Sequence, residues 1–346
     1  MIYFNSDYLE GAHPSIMVRL AETNMVQTVG YGEDEYCEAA REKIKTACQA
    51  PEADVHFLVG GTQTNTTVIA AILRPWQGVI SAVSGHINCH EAGAIESTGH
   101  KVITLPTTNG KITAQQVQDY VEWHRNDEST EHIVQPGMVY ISHPTEGGTL
   151  YTKAELTALY DTCRRYGLPL FIDGARLGYG LMAKESDMTL PEIARLCDVF
   201  YIGGTKVGAL FGEAVVIMSE NLKKDFRFIM KQRGGRMAKG RLLGVQFDTL
   251  FTDDLYFKIS RHAIEMAHQI RDIFVSAGYP LLFDSPTNQQ YPIMSDDELA
   301  ILGKSFGYEY WERVDETHSG VRFCASWATK QEHVDALRAA VNALKK

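Results

Sequence analysis

Short apolar runs alternate with amphipathic stretches through the first two-thirds of the chain. Between several of these runs, apolar residues recur at the spacing of a helix face, as at 152–166 and 190–196. Strand–helix–strand alternation predicts an α/β fold with a mostly parallel sheet that helices cover on both faces. Ligands bind at the carboxyl ends of the strands in such sheets, so residues that follow a strand are the first candidates for chemistry. The apolar runs predict seven strands, at 55–59, 78–82, 101–105, 138–142, 169–173, 199–203 and 214–218.

The pattern changes in the last third of the chain. A basic helical stretch is predicted from about residue 225 through Arg241, followed by a helix at 254–277 and a weaker strand–helix pattern. A chain of 346 residues exceeds one ordinary hydrophobic core, so two domains are expected. We predict a large domain at 1–245 and a small C-terminal α+β domain at 246–346.

Composition and charge narrow the classes of protein. The net charge of −10 argues against nucleic acid or an anionic membrane as the main partner, although a local pocket can still attract an anion. No apolar stretch approaches the roughly 20 residues of a membrane helix, and the N-terminus lacks the features of a signal peptide. The six cysteines are scattered without CxxC spacing, which is typical of reduced thiols. We therefore expect a soluble cytoplasmic protein.

Two predicted strands deliver an acid and a lysine. The strand at 169–173 ends in Asp173, with Arg176 just beyond, and a carboxylate there can hold a pyridine nitrogen protonated. Taken alone, this motif fits an Asp that caps a turn equally well. The strand at 199–203 is followed by Lys206 after a Gly-Gly-Thr turn. A lysine that is partly desolvated near a cation would have the lowered pKa that Schiff-base chemistry needs, whereas the alternative is a loop lysine on the surface.

Two further motifs suggest an anion site and a ring-stacking residue. The segment 57–65, FLVGGTQTN, turns from a strand into a helix, and the free N–H groups at such a turn bind phosphates; the alternative is a plain tight turn. His86 and His90 are four residues apart, but no third ligand is spaced to complete a metal site, and we predict none. Stacking of an imidazole on a flat cofactor is favoured over metal binding, and a helix-face histidine without chemistry is the alternative.

Together these motifs resemble those of the low-specificity threonine aldolases, in the β-eliminating lyase group of fold-type I pyridoxal-phosphate (PLP) enzymes. The likeness covers nearly the whole chain, and Asp-Gly-Ala-Arg at 173–176 followed by a strand and Lys206 is its most specific part. The resemblance implies a Schiff base between PLP and Lys206. It also implies cofactor contacts from the phosphate-binding Gly61 and Thr62, the ring-stacking His86, Asp173 at the pyridine nitrogen, and Arg176 near the phenolate oxygen.

The resemblance also implies a substrate site and an assembly. Asn5-Ser6-Asp7 is similar to a family segment in which Ser6 would touch the substrate carboxylate, and Gly30–Asp34 is similar to one in which Tyr31 lines the site near a subunit interface. The first 30 residues would therefore line the site. Arg322, in Gly320–Trp327, would grip the substrate carboxylate, which a guanidinium fits bidentately. A homodimer or homotetramer with sites at the interface is implied.

The chain departs from the family pattern in two places. The family commonly shows Glu-Asn-Thr-His-Asn-Gly-Gly where residues 142–148 are Ser-His-Pro-Thr-Glu-Gly-Gly. The family histidine therefore falls on Thr145, and His143 lies two residues earlier. The family's Gly-Gly-Gly-Met-Arg-Gln is Gly-Gly-Arg-Met-Ala-Lys at 234–239, so its arginine also moves. The cofactor residues are complete, but the substrate-facing part has changed.

The implied reaction is retro-aldol cleavage of a β-hydroxy-α-amino acid, threonine-like or allo-threonine-like, to glycine and an aldehyde. Lys206 and Asp173 would act on the cofactor, and His86, His143 or a water between them are candidates for the base that removes the β-hydroxyl proton. Two alternatives stay open. Another PLP reaction, β-elimination or amino transfer, would use the same lysine, acid and arginine, and a catalytically silent homologue would use none of them.

Overall fold

The computed structural model describes residues 1–345. The strands in this part of the chain are β1 (Ile2–Tyr3), β2 (Asp54–Leu58), β3 (Gln77–Ala82), β4 (Val102–Leu105), β5 (Gln135–Ser142), β6 (Leu170–Asp173), β7 (Val199–Gly203), β8 (Glu213–Ile217), β9 (Gln289–Gln290), β10 (Ile293–Ser295), β11 (Phe306–Gly307), β12 (Glu309–Arg313) and β13 (His318–Cys324). The helices are α1 (Pro14–Thr23), α2 (Glu35–Cys48), α3 (Gly61–Ile72), α4 (His86–Cys89), α5 (Ala114–Asn126), α6 (Lys153–Tyr166), α7 (Leu177–Met182), α8 (Leu190–Arg195), α9 (Phe226–Gln232), α10 (Arg241–Leu250), α11 (Leu255–Ser276), α12 (Asp296–Leu302) and α13 (Gln331–Leu344). Short 3-10 turns lie at Glu96–Thr98, Thr130–His132 and Glu220–Leu222.

The main sheet has seven strands in the order β2-β8-β7-β6-β5-β3-β4. β8 runs antiparallel to both of its neighbours, and the pairs from β7 through β4 are parallel. The predicted α/β fold with a mostly parallel seven-stranded sheet is confirmed, and all seven predicted strands are present with small shifts at their ends. Because β6 and β7 are parallel neighbours, Asp173 and the segment that leads to Lys206 leave the sheet at the same edge.

The central strands are buried on both faces, which explains their continuous apolar sequences. Leu170 and Ile172 of β6 point into one hydrophobic cluster, whereas Phe171 between them points into another with Val199 of β7. This alternation is the two-residue period of a strand. Asp173 is the last residue of β6 and stands at the carboxyl edge of this buried layer.

A second, four-stranded sheet is formed by β9, β10, β12 and β13, with β13 pairing with each of the others. Its hydrophobic cluster comes from α11, α12, α13 and the strands around them, together with Phe4. β1 pairs in parallel with β11, and the Cys324 N–H donates to the Phe4 carbonyl at 2.6 Å. The N-terminal segment is therefore fastened to the C-terminal part of the chain. No helix within residues 1–345 is long and apolar enough to cross a membrane.

The prediction of one continuous helical stretch from about residue 225 through Arg241 is wrong. α9 ends at Gln232, and α10 begins only at Arg241. Gly234 has a φ of +75°, in the left-handed region that glycine adopts readily, and this residue turns the chain out of α9. The basic residues of this stretch are therefore divided between two helices and a loop.

Candidate active site

Asp173 is a buried acid at the carboxyl edge of the main sheet. Its Oδ2 accepts hydrogen bonds from the Tyr140 hydroxyl at 2.6 Å and the Asn65 amide at 3.1 Å, and its Oδ1 accepts one from the Tyr201 hydroxyl. Burial by itself would raise the pKa of Asp173, but the His86 charge and the tyrosine hydrogen bonds outweigh it, and the net pKa is lowered. Asp173 is thus an ionised carboxylate in a fixed orientation.

The two tyrosines and Asn65 are absent from the predicted site. Tyr140 lies on β5 and Tyr201 on β7, the strands on either side of β6. A tyrosine on a strand that neighbours β6 could have been predicted as a partner of Asp173. Such a prediction requires knowledge of the order of strands in the sheet. That order depends on pairing between distant segments, which the apolar pattern of single strands does not contain.

Lys206 follows β7 and lines a cleft at this edge of the sheet. Burial disfavours its charged amine and the Arg176 guanidinium adds to this effect, so the pKa of Lys206 is lowered although three buried carboxylates oppose the shift. One of these carboxylates, Glu213, accepts a hydrogen bond from the Gly204 N–H at 3.0 Å. Burial raises the pKa of Glu213 to about 7. Lys206 therefore has the lowered pKa that an amine nucleophile needs.

Arg176 forms a two-point ion pair with Asp7. Its Nε lies 2.7 Å from Oδ2 and its Nη2 lies 3.0 Å from Oδ1 of Asp7, and the Asn288 amide also donates to Oδ2 at 2.9 Å. Burial would raise the pKa of Asp7, but its attraction to Arg176 and Lys206 lowers the pKa to about 2. Arg176 lines the cleft as well, so its contact with the phenolate oxygen stays a prediction. The sequence motif contains Asp7 but gives no sign of its partner.

His86 begins α4 and faces the same cleft. Its Nδ1 lies 2.7 Å from Oε1 of Glu91, and that oxygen also accepts a hydrogen bond from the Asn65 amide at 2.7 Å. Burial would lower the pKa of His86, but the Glu91 hydrogen bond and the Asp173 charge raise it overall. Asn65 therefore links the acid that holds His86 to Asp173, and the imidazole has a fixed orientation and readily carries a proton.

A cradle for an anion lies at the start of α3. Gly60 is extended at the N-cap and no side chain caps the helix, so the first-turn N–H groups, including those of Gly61 and Thr62, have no side-chain acceptor. A Cβ built on Gly60 would meet no atom within 4 Å, which shows open space beside the turn. A Cβ on Gly61 would lie 3.2 Å from the Tyr201 hydroxyl, which places this turn next to the Asp173 network.

Arg322, on β13, contacts the N-terminal segment at Asn5, the residue before Ser6. The Arg322 guanidinium donates from Nη2 to the Asn5 carbonyl at 3.0 Å and from Nη1 to Gln289 Oε1 at 3.2 Å. Its Nε is buried without a partner in the described chain, as is the hydroxyl of the adjacent Ser6. A buried guanidinium nitrogen and a buried hydroxyl without partners are suited to a carboxylate ligand.

One cleft of about 430 Å³ brings four of the predicted site residues together, His86, Arg176, Lys206 and Arg322. This volume suits a cofactor-sized ligand. The cleft is also lined by residues that were not predicted as site residues, which are Tyr8, His90, Glu146, Glu309, Tyr310 and Trp311.

Six predicted site residues are not among those that line this cleft. Ser6, Gly61, Thr62 and Asp173 have the surroundings described above, whereas His143 and Tyr31 lie elsewhere. His143 is buried, its Nδ1 accepts a long hydrogen bond of 3.4 Å from the Tyr151 N–H, and burial lowers its pKa to about 4. Tyr31 lies in another pocket, where the Lys231 ammonium stands 4.5 Å from its ring centroid and Arg236 approaches the same ring. Within this single chain, neither residue is brought to Lys206.

Comparisons with known proteins agree with this geometry. The model of the family described as beta-eliminating lyase matches residues 4–341. This chain belongs to that family. It is 42% identical to the threonine aldolase of Leishmania major, with a TM-score of 0.97 and complete coverage of both chains. It is 29% identical to the low specificity L-threonine aldolase of Pseudomonas aeruginosa over 96% of this chain and 95% of that one. Cystalysin of Treponema denticola, a structure that contains PLP, shares the fold at 15% identity and a TM-score of 0.73, with 99% of this chain and 92% of that one covered.

Beta-eliminating lyases depend on PLP, and the residues of this lyase fit that cofactor. Lys206 offers an amine of lowered pKa, Asp173 offers an ionised carboxylate, and the open turn at Gly60 offers room and N–H groups for a phosphate. Within residues 1–345, no group of three or more His, Cys, Asp or Glu side chains is arranged to hold a metal ion. Lys206, Asp173 and the Gly60 turn together match a flat, phosphorylated aldehyde.

Proposed function

We propose that this lyase cleaves a threonine-like or allo-threonine-like β-hydroxy-α-amino acid into glycine and an aldehyde, with PLP as cofactor. The observation that carries the proposal is a single cleft lined by both Lys206 and Arg322. Lys206 has the amine that PLP requires. Arg322 has a guanidinium nitrogen without a hydrogen-bond partner in the described chain, which can bind the carboxylate of an amino acid. The threonine aldolases of Leishmania and Pseudomonas support the choice of reaction.

On this proposal, PLP when bound supplies an electron sink that makes an amino acid's α-carbon bonds breakable. The Lys206 amine would hold the cofactor aldehyde, and the Asp173 carboxylate would hold a proton at the ring nitrogen. Arg176 would contact the phenolate oxygen, His86 would lie on the ring face, and Gly61 with Thr62 would bind the phosphate. The orientation of Asp173 is fixed in advance by its hydrogen bonds, so no reorganisation is needed when charge develops.

Arg322 and Ser6 would bind the substrate carboxylate. Holding that group would align the Cα–Cβ bond with the π orbitals that accept its electron pair. Arg322 is itself held by Gln289 and the Asn5 carbonyl, so its position is set before substrate arrives.

The test is a product assay on the purified holoenzyme with a panel of β-hydroxy-α-amino acids. The proposal expects equal amounts of glycine and aldehyde, as glycine and acetaldehyde from threonine. Ammonia with a keto acid would instead show β-elimination, and dependence on an added keto acid would show amino transfer. Release of no product from any member of the panel would favour a silent homologue.

We also propose that the enzyme is a cytoplasmic homodimer or homotetramer in which Tyr31 contributes to a neighbouring subunit's site. Exposed apolar side chains near that residue support an interface, notably Met25, Val29 and Phe228, which are 87%, 62% and 76% exposed. Sedimentation of the holoenzyme tests the assembly. A division of the chain near residue 245 remains part of the proposal. It is supported by the separate hydrophobic cluster that the second half of α11, from Met266 onward, forms with α12, α13 and Phe4.

A further inference from the structure

Glu146 presents a carboxylate to the cleft that the sequence-based site does not include. Its Oε1 accepts hydrogen bonds from the Ser142 hydroxyl at 2.6 Å and from the His86 main-chain N–H at 2.9 Å. Its main-chain carbonyl accepts two more, from Gln289 Nε2 at 3.2 Å and the Tyr291 hydroxyl at 2.9 Å. One carboxylate oxygen is thus anchored and the backbone is fixed. Within residues 1–345 the other oxygen, Oε2, accepts no hydrogen bond, and this atom is not fully buried.

The neighbouring side chains of the same loop have other contacts. The Thr145 hydroxyl is buried and lies 2.7 Å from the Thr149 hydroxyl. His143 is buried against Tyr151. Glu146 is therefore the ionisable residue of this loop that lines the cleft, at the place where the chain departs from the family pattern.

The charges around Glu146 favour it over His86 as a proton acceptor. The pKa of His86 is raised, so this imidazole tends to be protonated already. The pKa of Glu146 is raised by burial and by the Asp173 charge, against the hydrogen bond from Ser142 and the attraction to His86. A carboxylate with a raised pKa is a stronger base than an exposed one. The other charged groups of the cleft are His90, Arg176, Lys206, Glu309 and Arg322.

We propose that Glu146 is the catalytic base that accepts the β-hydroxyl proton of the substrate, an inference that rests on the proposed function. The hydroxyl proton passes to the Glu146 carboxylate, and the O–H electron pair becomes the second C–O bond of the aldehyde. The Cα–Cβ bond breaks and its electron pair stays with the α-carbon. A proton added to that carbon gives glycine. One proton leaves oxygen and one reaches carbon, so the balance needs no oxidant or reductant.

The experiment compares two reactions of the same holoenzyme, with Glu146→Gln as the test variant. Glutamine keeps an oxygen that can accept the hydrogen bonds from Ser142 and His86, but it is not a base. Cleavage of threonine is measured as acetaldehyde release. Exchange of the glycine α-proton in deuterium oxide is measured by NMR, because glycine has no β-hydroxyl and its exchange does not need this base.

We expect kcat for threonine cleavage to fall about 100-fold or more in Glu146→Gln, since a positioned base contributes roughly 10²–10⁴-fold. Glycine exchange should change by less than about threefold, a small part of that effect. Glu312→Gln, which removes an exposed carboxylate from the neighbouring strand β12, is the matched control and should leave both reactions unchanged.

Each other outcome overturns the assignment. Equal losses in both reactions would mean that Glu146 only maintains the site, and no loss in either would mean that another group accepts the proton. Failure of the wild-type enzyme to release glycine from any β-hydroxy amino acid would instead overturn the proposed function itself, and the Glu146 proposal with it. The wild-type assay therefore distinguishes failure of the proposed function from failure of the Glu146 assignment alone.

Discussion

Arg176 and Asp7 face each other across 169 positions of sequence and form a two-point ion pair with N–O distances of 2.7 and 3.0 Å. The Asp7 side chain is completely buried and that of Arg176 is 12% exposed. The pair joins the N-terminal segment to the residue that follows the Asp173 strand. Removing one partner leaves an unpaired buried charge, which costs far more than the loss of a surface ion pair.

Asp7→Asn should lower the free energy of unfolding by about 3–5 kcal/mol at neutral pH, as for other buried pairs broken on one side. Denaturant unfolding followed by circular dichroism measures it. Asp284→Asn is the matched control, because Asp284 pairs with Arg271 at the surface and is 83% exposed. That variant should change the free energy by less than about 1 kcal/mol. Equal effects would show that the Asp7 pair contributes no more than a surface contact.

The Asp7 carboxyl also makes the free energy of unfolding depend on pH, in a direction that its lowered pKa determines. The pKa of Asp7 is about 2 in the folded protein against 3.8 unfolded, so its contribution is complete above pH 3.8 and is lost as the pH falls toward 2. The part of the unfolding free energy that is linked to this pKa shift is about 2 kcal/mol. The difference in unfolding free energy between wild type and Asp7→Asn should therefore shrink by about this amount as the pH falls through that range. A constant difference would contradict the lowered pKa.

His143→Asn tests whether His143 is a structural residue or a base. The pKa of His143 is about 4 when folded against 6.5 unfolded, because the buried ring stays neutral. Its contribution to stability is complete above pH 6.5 and declines by about 3 kcal/mol as the pH falls to about 4. The variant should lose this pH dependence of unfolding, while His132→Asn, an exposed histidine, should keep it. A drop in turnover without any change in pH dependence would instead indicate a catalytic role.

Lys206→Ala tests where the cofactor is attached. Borohydride reduction of the wild-type holoenzyme should leave PLP covalently bound to the peptide that contains Lys206, as mass spectrometry can show. The variant should lose both this adduct and aldehyde release, because its side chain has no amine. Lys224→Ala, which removes an exposed lysine, should retain both. An adduct at another lysine of wild type would overturn the assignment.

Tyr201→Phe tests the support of Asp173. Loss of a hydrogen bond to a buried charged group costs about 1.5–3 kcal/mol, and here it would raise the pKa of Asp173 and weaken its hold on the ring nitrogen. We expect kcat/KM for aldehyde release to fall roughly 10- to 100-fold, the rate equivalent of that energy. Tyr160→Phe, on helix α6 outside the Asp173 network, is the control. Equal kinetics for the two variants would show that the Tyr201 hydroxyl does not support catalysis.

The sequence alone was sufficient to predict the strands of the main sheet and the site residues at their carboxyl ends. Each strand's apolar run is local, and parallel pairing then places Asp173 and Lys206 at one edge without further information. The break at Gly234 was not predicted, because a helical spacing of basic residues does not reveal a left-handed glycine.

The partners of the site residues could not be predicted for a different reason. Glu91 beside His86, Asp7 beside Arg176 and Glu213 near Lys206 are ordinary acids in the sequence, and only tertiary packing buries them. This packing shifts the pKa values of Asp7, Glu213 and His86 through burial and through nearby charges. The sequence thus identifies groups that can carry out chemistry, and the fold determines their charge.

The attachment of the N-terminal segment to the C-terminal sheet has a mechanical consequence. Phe4 is hydrogen-bonded to Gly307 and Cys324, and Arg322 donates to the Asn5 carbonyl, so Ser6 and Arg322 sit on one rigid support. Any tilting of that support would move both residues together and preserve the spacing between them, on which the proposed binding of the substrate carboxylate depends. The distance from Ser6 and Arg322 to Lys206 would change instead, and the Asp7–Arg176 ion pair would limit that change.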